Sequence, residues 1–205
     1  MKNLIFDFDG TIADSFETML SIFEEIAGRP RKLSDQEIKE LRGESLKEIV
    51  RYLKIKRWQL PRMVFKAKRL VALRMPSINV FDGVPEALKQ LSQDGHKMYI
   101  LSTNGPKNIN DFLIQNGLGG YFTKVYGDIG LRSKSSALRK IMRQQKIKAA
   151  DCIYIGDEVR DVEAAKKAGV TSVSVGWGFN YPKALRQAGP TALAKSPKDL
   201  TEILK

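Results

Sequence analysis

Apolar residues along the chain fall into two styles: short β-rich runs that end in small or acidic residues, and longer stretches with helical spacing. The runs Asn3 to Phe8, Lys97 to Ser102, Phe122 to Tyr126, Cys152 to Ile155 and Thr171 to Val175 predict strands, each apolar enough to be buried on both faces. Between them, Val84 to Gln93, Pro106 to Gln115, Ser133 to Gln145 and Glu158 to Ala168 predict helices. Gly95, Gly117 and Gly169 stop the first, second and last of these. Strand and helix alternate, which is the pattern of a three-layer α/β fold with a doubly wound parallel sheet. In such a sheet, ligands collect beyond the carboxyl ends of the strands.

From Ser15 to about Asn79 the alternation stops and only helical spacing remains. Phe16, Met19, Leu20, Phe23 and Ile26 mark one apolar stripe, followed by a Gly28-Arg29-Pro30 break. Ser34 with Glu37, and Ser45 with Glu48, have capping-box spacing; Pro61 suits a helix start and Pro76 an exit. A bundle of about four helices is therefore expected to interrupt the sheet just after its first strand.

With 205 residues and 42% hydrophobic content, the chain is long enough for one ordinary core and a smaller satellite. The lone Cys152 has no internal disulfide partner and reads as a small buried hydrophobe. No leader pattern and no apolar run of about 20 residues is present, which together predict a cytoplasmic protein without a membrane partner. A net charge of +12 favours anionic company without choosing among phosphorylated metabolites, nucleic acid or an acidic surface. The stretch Arg51 to Arg74 is basic without one acid and interleaved with Tyr52, Trp58 and Phe65. It reads as a solvated helical face, with a basic rim for a multiply charged substrate or for nucleic acid as the functional alternative. His96, the single histidine, reads as a turn residue.

The chemistry gathers at strand ends. "FDFDGT" puts Asp7 at the end of the first strand and Asp9 at the start of the loop, where alternation would point both carboxylates to the ligand crevice. Gly10 then turns the chain, and Thr11 adds a hydroxyl. A lone Asp-Gly is ordinarily a turn, but D-x-D-G-T asks more of that reading. "IYIGDEVRD" brings Asp157, Glu158 and Asp161 to the end of the fourth strand. Carboxylates about 4 Å apart repel by roughly 4 kcal/mol at an effective dielectric near 20, so such a group needs a cation. Oxygen ligands without histidine or cysteine specify a hard divalent ion, Mg²⁺ being the usual one beside phosphate. "YILSTNG" ends the second strand in Ser102, Thr103 and Asn104, small donors suited to phosphoryl oxygens. Lys134 opens the helix after the third strand, where it could carry charge to a phosphate. Trp177 and Phe179 follow the fifth strand, either lining the pocket or packing over the sheet edge.

Taken in order, DFDGT, STN, Lys134 and GDEVRD resemble the four motifs of the haloacid dehalogenase superfamily of hydrolases. "GVPEALKQL" and "GWGFN" extend the likeness to its phosphoglycolate-phosphatase-like branch, in which a helical cap is inserted after the first motif. The resemblance implies a core domain of residues 1–14 and 80–205, a cap of residues 15–79, and hinges near Asp14 to Ser15 and Asn79 to Gly83. It implies a phosphatase acting on a small phosphorylated metabolite, with Asp7 as nucleophile forming an aspartyl-phosphate and Asp9 as general acid and base. Thr103 and Asn104 would hold phosphoryl oxygens, with Ser102 the alternative hydroxyl, and Thr11 would stand beside them. Lys134 would neutralise Asp7 and phosphate, Arg132 being the stand-in because the K-P-x-P continuation is missing. Mg²⁺ would rest on Asp7, the Asp9 carbonyl and Asp157, with Asp161 in support. "LRGES" nominates Arg42 and Gly43 as substrate contacts. The presence of Asp9 favours phosphate over carbon-halogen chemistry. A sugar phosphomutase of the same superfamily, or a non-catalytic phosphate- or nucleic-acid-binding protein on the same fold, are the alternatives.

Overall fold

The structure is a computed structural model and describes the chain except residues 29–32, 43, 45, 53–59 and 131–132. Arg29 and Pro30 of the break, Gly43, the Ser45 half of the second capping box, Trp58 and Arg132 therefore lie outside the described residues, as does the Phe65 side chain.

Six strands, β1 (Asn3–Phe6), β2 (Lys97–Leu101), β3 (Phe122–Tyr126), β4 (Cys152–Gly156), β5 (Thr171–Val175) and β6 (Ala192–Ala194), form one sheet in the order β3-β2-β1-β4-β5-β6. Every pairing is parallel. The order reverses about β1, whose Phe6 pairs with Ile100 on one side and Ile155 on the other, so the crevice opens above the carboxyl ends of β1, β2 and β4.

After β1 come the helices α1 (Phe16–Ile26), α2 (Asp35–Leu41), α3 (Leu46–Tyr52) and α4 (Leu60–Arg74). The crossover helices follow: α5 (Val84–Gln93), α6 (Pro106–Gln115), α7 (Lys134–Gln145), α8 (Val159–Ala168), α9 (Pro182–Ala188) and α10 (Pro197–Ile203). Leu88 and Leu91 of α5, Ile109 and Phe112 of α6 and Leu200 of α10 cover one face of the sheet, packing on Leu4, Phe6, Met98 and Ile100. Leu138 and Ile141 of α7 and Ala164 and Ala165 of α8 cover the other, against Ile5, Tyr99, Leu101 and Tyr154. That division is the period-2 alternation of β1 and β2 made spatial.

Two expectations needed correction here. β3 is an edge strand with Thr123 and Lys124 exposed, not a strand buried on both faces, because only β2 pairs with it. β1 ends at Phe6, so strand alternation does not reach Asp9. The chain turns instead through Gly10 at φ +77°, and the amides of Ile12 and Ala13 both donate to the Phe8 carbonyl.

α1 to α4 interrupt the sheet after β1. Phe16 and Leu20 of α1 join Leu33, Leu41 and Ile49 in a separate small core, while Ile22 of the same helix is buried with the main core and Met19 and Ile26 pack against it. The single stripe read from the sequence is thus two apolar faces, one for each neighbour. Ser34 and Glu37 make the expected capping box at the start of α2. The two segments that join the helices to the sheet run side by side: the Asp14 amide donates to the Asn79 carbonyl at 2.9 Å, and Ala13 bridges Val80.

Candidate active site

The end of β1, the turn after it and the ends of β2 and β4 bring the acidic and hydroxyl motifs to one place. Lys134, the first residue of α7, is only 3% exposed. Its ammonium lies 2.5 Å from Asp7 Oδ2 and 2.5 Å from Asp161 Oδ1. Burial pushes its pKa down, but the two carboxylates more than reverse this and hold the lysine charged well above its ordinary range. Asp161 is further fixed by the Tyr154 hydroxyl, which donates to Oδ1 at 3.1 Å, and by the Glu158 amide, which donates to Oδ2 at 3.1 Å.

Asp7 is buried, and its Oδ1 accepts from the Phe8 amide at 2.8 Å. Burial raises its pKa to about 6, against the pull of Lys134. Asp9, partly open to solvent, accepts from the Ser15 hydroxyl at 2.9 Å. Burial and then the neighbouring Asp7 charge raise it to about 6 as well, opposed by Ser15 and Asn104. A carboxyl group tuned there exchanges protons readily near neutral pH.

Asp157 is fully buried. Oδ1 accepts from the Thr11 hydroxyl and Oδ2 from the Phe179 amide, each at 2.8 Å. Thr11 is therefore committed to Asp157 rather than presented to a ligand. Burial, then the charges of Glu158, Asp7 and Asp161, push the Asp157 carboxyl well above the usual range. Glu158 is raised by burial and held down by Arg160, whose guanidinium donates to it.

Ser102 is buried at the end of β2, where its hydroxyl oxygen accepts from the Asn104 amide at 3.0 Å, whereas Thr103 is half-buried. Asn104 Oδ1 accepts from the Gly105 amide and from Asn108. Arg42 lies beyond the end of α2 with its guanidinium 4.9 Å from the Phe16 ring centroid.

One oxygen each of Asp7, Glu158 and Asp161 lie within 4.8 Å of one another. The Lys134 ammonium already pairs with two of these three residues, Asp7 and Asp161. Among the described residues, the cations that act on Asp7, Asp9 and Glu158 are Lys134 and Arg160, and Asp157 and Asp161 add further carboxylates beside them, an excess that fits a hard divalent cation bound by oxygen alone. Sequence reasoning missed Tyr154, whose hydroxyl is the only hint it gives, and the Phe179 amide, which leaves no trace in a sequence.

Residues 4–175 match the family model described as haloacid dehalogenase-like hydrolase. The chain belongs to that family. It is 35% identical, over its whole length and 97% of the relative, to a phosphoglycolate phosphatase of Synechococcus elongatus. A haloacid dehalogenase-like family protein from Streptococcus pneumoniae superposes with a TM-score of 0.84 at 19% identity, covering 100% of this chain and 99% of the other. A predicted phosphatase from Clostridium acetobutylicum does so at 0.85 and 24%, covering 100% and 98%. This member therefore resembles phosphoglycolate phosphatases within the haloacid dehalogenase superfamily, and its sheet is the core these proteins share. Among the described residues, no helix is long and apolar enough to cross a membrane.

Proposed function

We propose that this chain hydrolyses a small phosphate monoester by way of an aspartyl-phosphate on Asp7, with Mg²⁺ as cofactor. It is a phosphatase of the haloacid dehalogenase superfamily, like the relative that it matches end to end. The observation that carries the finer reading is the pairing of a buried, lysine-clamped Asp7 with Asp9 two residues on, its pKa raised to about 6.

An oxygen of Asp7 attacks phosphorus and the bond from phosphorus to the ester oxygen breaks. Asp9, in its protonated form, gives its proton to the departing alkoxide, and the product alcohol leaves. Asp9, now a carboxylate, takes a proton from water as that water attacks the phosphorus held on Asp7. The phosphorus–Asp7 bond breaks, and inorganic phosphate and a free carboxylate are restored. Lys134 balances the charge of Asp7 and of the phosphoryl oxygens, which Thr103 and Asn104 also hold, while Asp161 keeps Lys134 in place. Asp7, the Asp9 carbonyl and Asp157 would hold the metal, with Asp161 supporting and with Thr11 fixing Asp157. When bound, Mg²⁺ supplies positive charge to the phosphoryl oxygens beside the crowded carboxylates.

In this reading residues 15–79 are a cap over a core of residues 1–14 and 80–205, with hinges near Asp14 to Ser15 and Asn79 to Gly83, and Arg42 is a substrate contact. Phosphoglycolate, the substrate in the name of the cyanobacterial relative, heads the candidate esters. The setting is cytoplasmic.

The test is release of p-nitrophenol from p-nitrophenyl phosphate, followed by a panel of phosphate esters that includes phosphoglycolate. Activity that needs Mg²⁺, stops with chelator and is absent in Asp7→Asn supports the reading. A rate unchanged by chelator, or retained in Asp7→Asn, overturns it.

A further inference from the structure

The loop after β5 connects the helical insert to Asp157. The Phe179 amide donates to Asp157 Oδ2 at 2.8 Å, and its ring meets Phe16 of α1 edge-on, with centroids 5.1 Å apart. Arg42, at the end of α2, lies over that same Phe16 ring, and the Tyr181 hydroxyl donates to the Lys39 carbonyl of α2 at 2.5 Å. On the other side, the Trp177 indole donates to the Thr11 carbonyl at 3.2 Å, and Thr11 in turn donates to Asp157. There is no slack in this layer. A Cβ on Gly178 would stand 2.3 Å from Asp157 Cβ, and one on Gly10 would stand 2.2 Å from Asp157 Oδ2 and 2.7 Å from Phe179 Cδ1.

From this geometry we propose that Phe179 is a positioning residue that transmits the placement of the helical insert to the Asp157 carboxylate. The ring fixes the loop against α1, and the fixed loop holds the amide that orients Oδ2. When α1 and α2 sit against the loop, as here, Asp157 is restrained from both sides by Thr11 and Phe179. When they move away, the ring loses Phe16 and the amide loses that restraint. Cation affinity at Asp157 thereby depends on where the insert lies, although the side-chain hydrogen bonds to Asp157 among the described residues come from Thr11 and Phe179, outside the insert. This inference rests on the reading of Asp157 as a metal ligand.

The experiment is a calorimetric titration of Mn²⁺ into the purified, substrate-free protein, for wild type, Phe179→Ala, Phe16→Ala, the double variant and Phe179→Tyr. Circular dichroism verifies that each is folded. Phe179→Ala should weaken Mn²⁺ binding on the order of tenfold and Phe16→Ala should do so in part. The double variant should lose no more than Phe179→Ala, since contacting residues on one path are not additive. Phe179→Tyr, which keeps the ring, should restore binding. Tyr181→Phe, an exposed change that deletes only the bond to Lys39, should weaken Mn²⁺ binding two- to threefold and serves if the ring variants do not fold. Affinities within twofold of wild type in Phe179→Ala and Phe16→Ala, or in Tyr181→Phe where those do not fold, overturn the coupling and leave the metal reading intact. A wild type that binds no Mn²⁺ overturns both.

Discussion

Lys134 Nζ lies 2.5 Å from Asp7 Oδ2, and both side chains are almost wholly shut off from water. Its second carboxylate, Asp161, is as close. Breaking a buried ion pair by removing one partner typically costs about 3–5 kcal/mol, because the charge left behind has neither water nor counter-ion. Lys134→Met should therefore lower unfolding stability by that order in urea melts without metal, and should also lower the phosphatase rate by two or more orders of magnitude. A variant as stable as wild type would mean that the triplet is not ionised as drawn.

Ser102 and Thr103 have different surroundings, and the proposed function gives the phosphate contact to Thr103. The Ser102 hydroxyl oxygen is buried and takes the Asn104 amide, so Ser102→Ala should cost about 1 kcal/mol of stability, the worth of an ordinary hydrogen bond, with the Michaelis constant little changed. Thr103 is half-buried beside the crevice. Thr103→Ala should leave stability within about 0.5 kcal/mol, as surface changes do, and lower kcat/KM at least tenfold. Steady-state kinetics and thermal melts on the two variants check this, and the reverse assignment would exchange the two results.

Much of this site can be read without coordinates because its chemistry lies at strand ends, where apolar runs stop abruptly. The ranges of α5 and α6 match expectation to the residue, since Pro85 and Pro106 open them and Gly95 and Gly117 follow them. β6, with three residues, and α9 and α10, with seven each, are not legible, because segments that short carry too little periodicity. Capping-box spacing found the start of α2, where the pattern is local. The exposure of β3 depends on which strand lies beside it, a long-range fact that a run of Phe, Val and Tyr does not contain. For the site, residue types at strand ends marked Asp7, Asp9 and Asp157, and the order of the motifs along the chain singled out Lys134. The bond from Thr11 to Asp157 joins residues 146 apart in the chain, and the bond from the Phe179 amide comes from backbone that every residue has.

The raised carboxyls make stability depend on pH in a defined direction. Asp7 and Asp9 move from 3.8 to about 6, so the folded protein binds protons more tightly than the unfolded chain between those values. Stability contributed by these groups is therefore greatest below about pH 4 and falls as pH rises through about 6. Asp9→Asn removes one such charge. The metal-free variant should be more stable than wild type at pH 7.5, by on the order of 1–2 kcal/mol at about 1.4 kcal/mol per pKa unit, reduced for the partial exposure of Asp9. The difference should shrink toward pH 5 while the phosphatase rate is lost throughout. Differential scanning calorimetry at several pH values, with chelator present, measures it. Equal stability of the two proteins at pH 7.5 would show that Asp9 is not strained by its surroundings.

Glycine 178 is required by space alone, since it is not among the glycines at positive φ. A methyl group there would stand 2.3 Å from both Asp157 Cβ and the Gly10 carbonyl oxygen, the second of which is backbone and unable to swing aside. Something must move, and the movable partner is the loop that carries the Phe179 amide. Overpacking of this kind typically costs about 1–3 kcal/mol. Gly178→Ala should lose that much stability and, because the displaced atoms are those that aim Asp157, should lose a larger share of its Mg²⁺-dependent rate. Gly120→Ala is the comparison: nothing lies within 4 Å of its added carbon, so stability should stay within about 0.5 kcal/mol and the rate should not change. If Gly178→Ala keeps the wild-type rate and magnesium dependence, the loop does not hold Asp157, and the close approach of Gly10, Gly178 and Asp157 would be a matter of packing only.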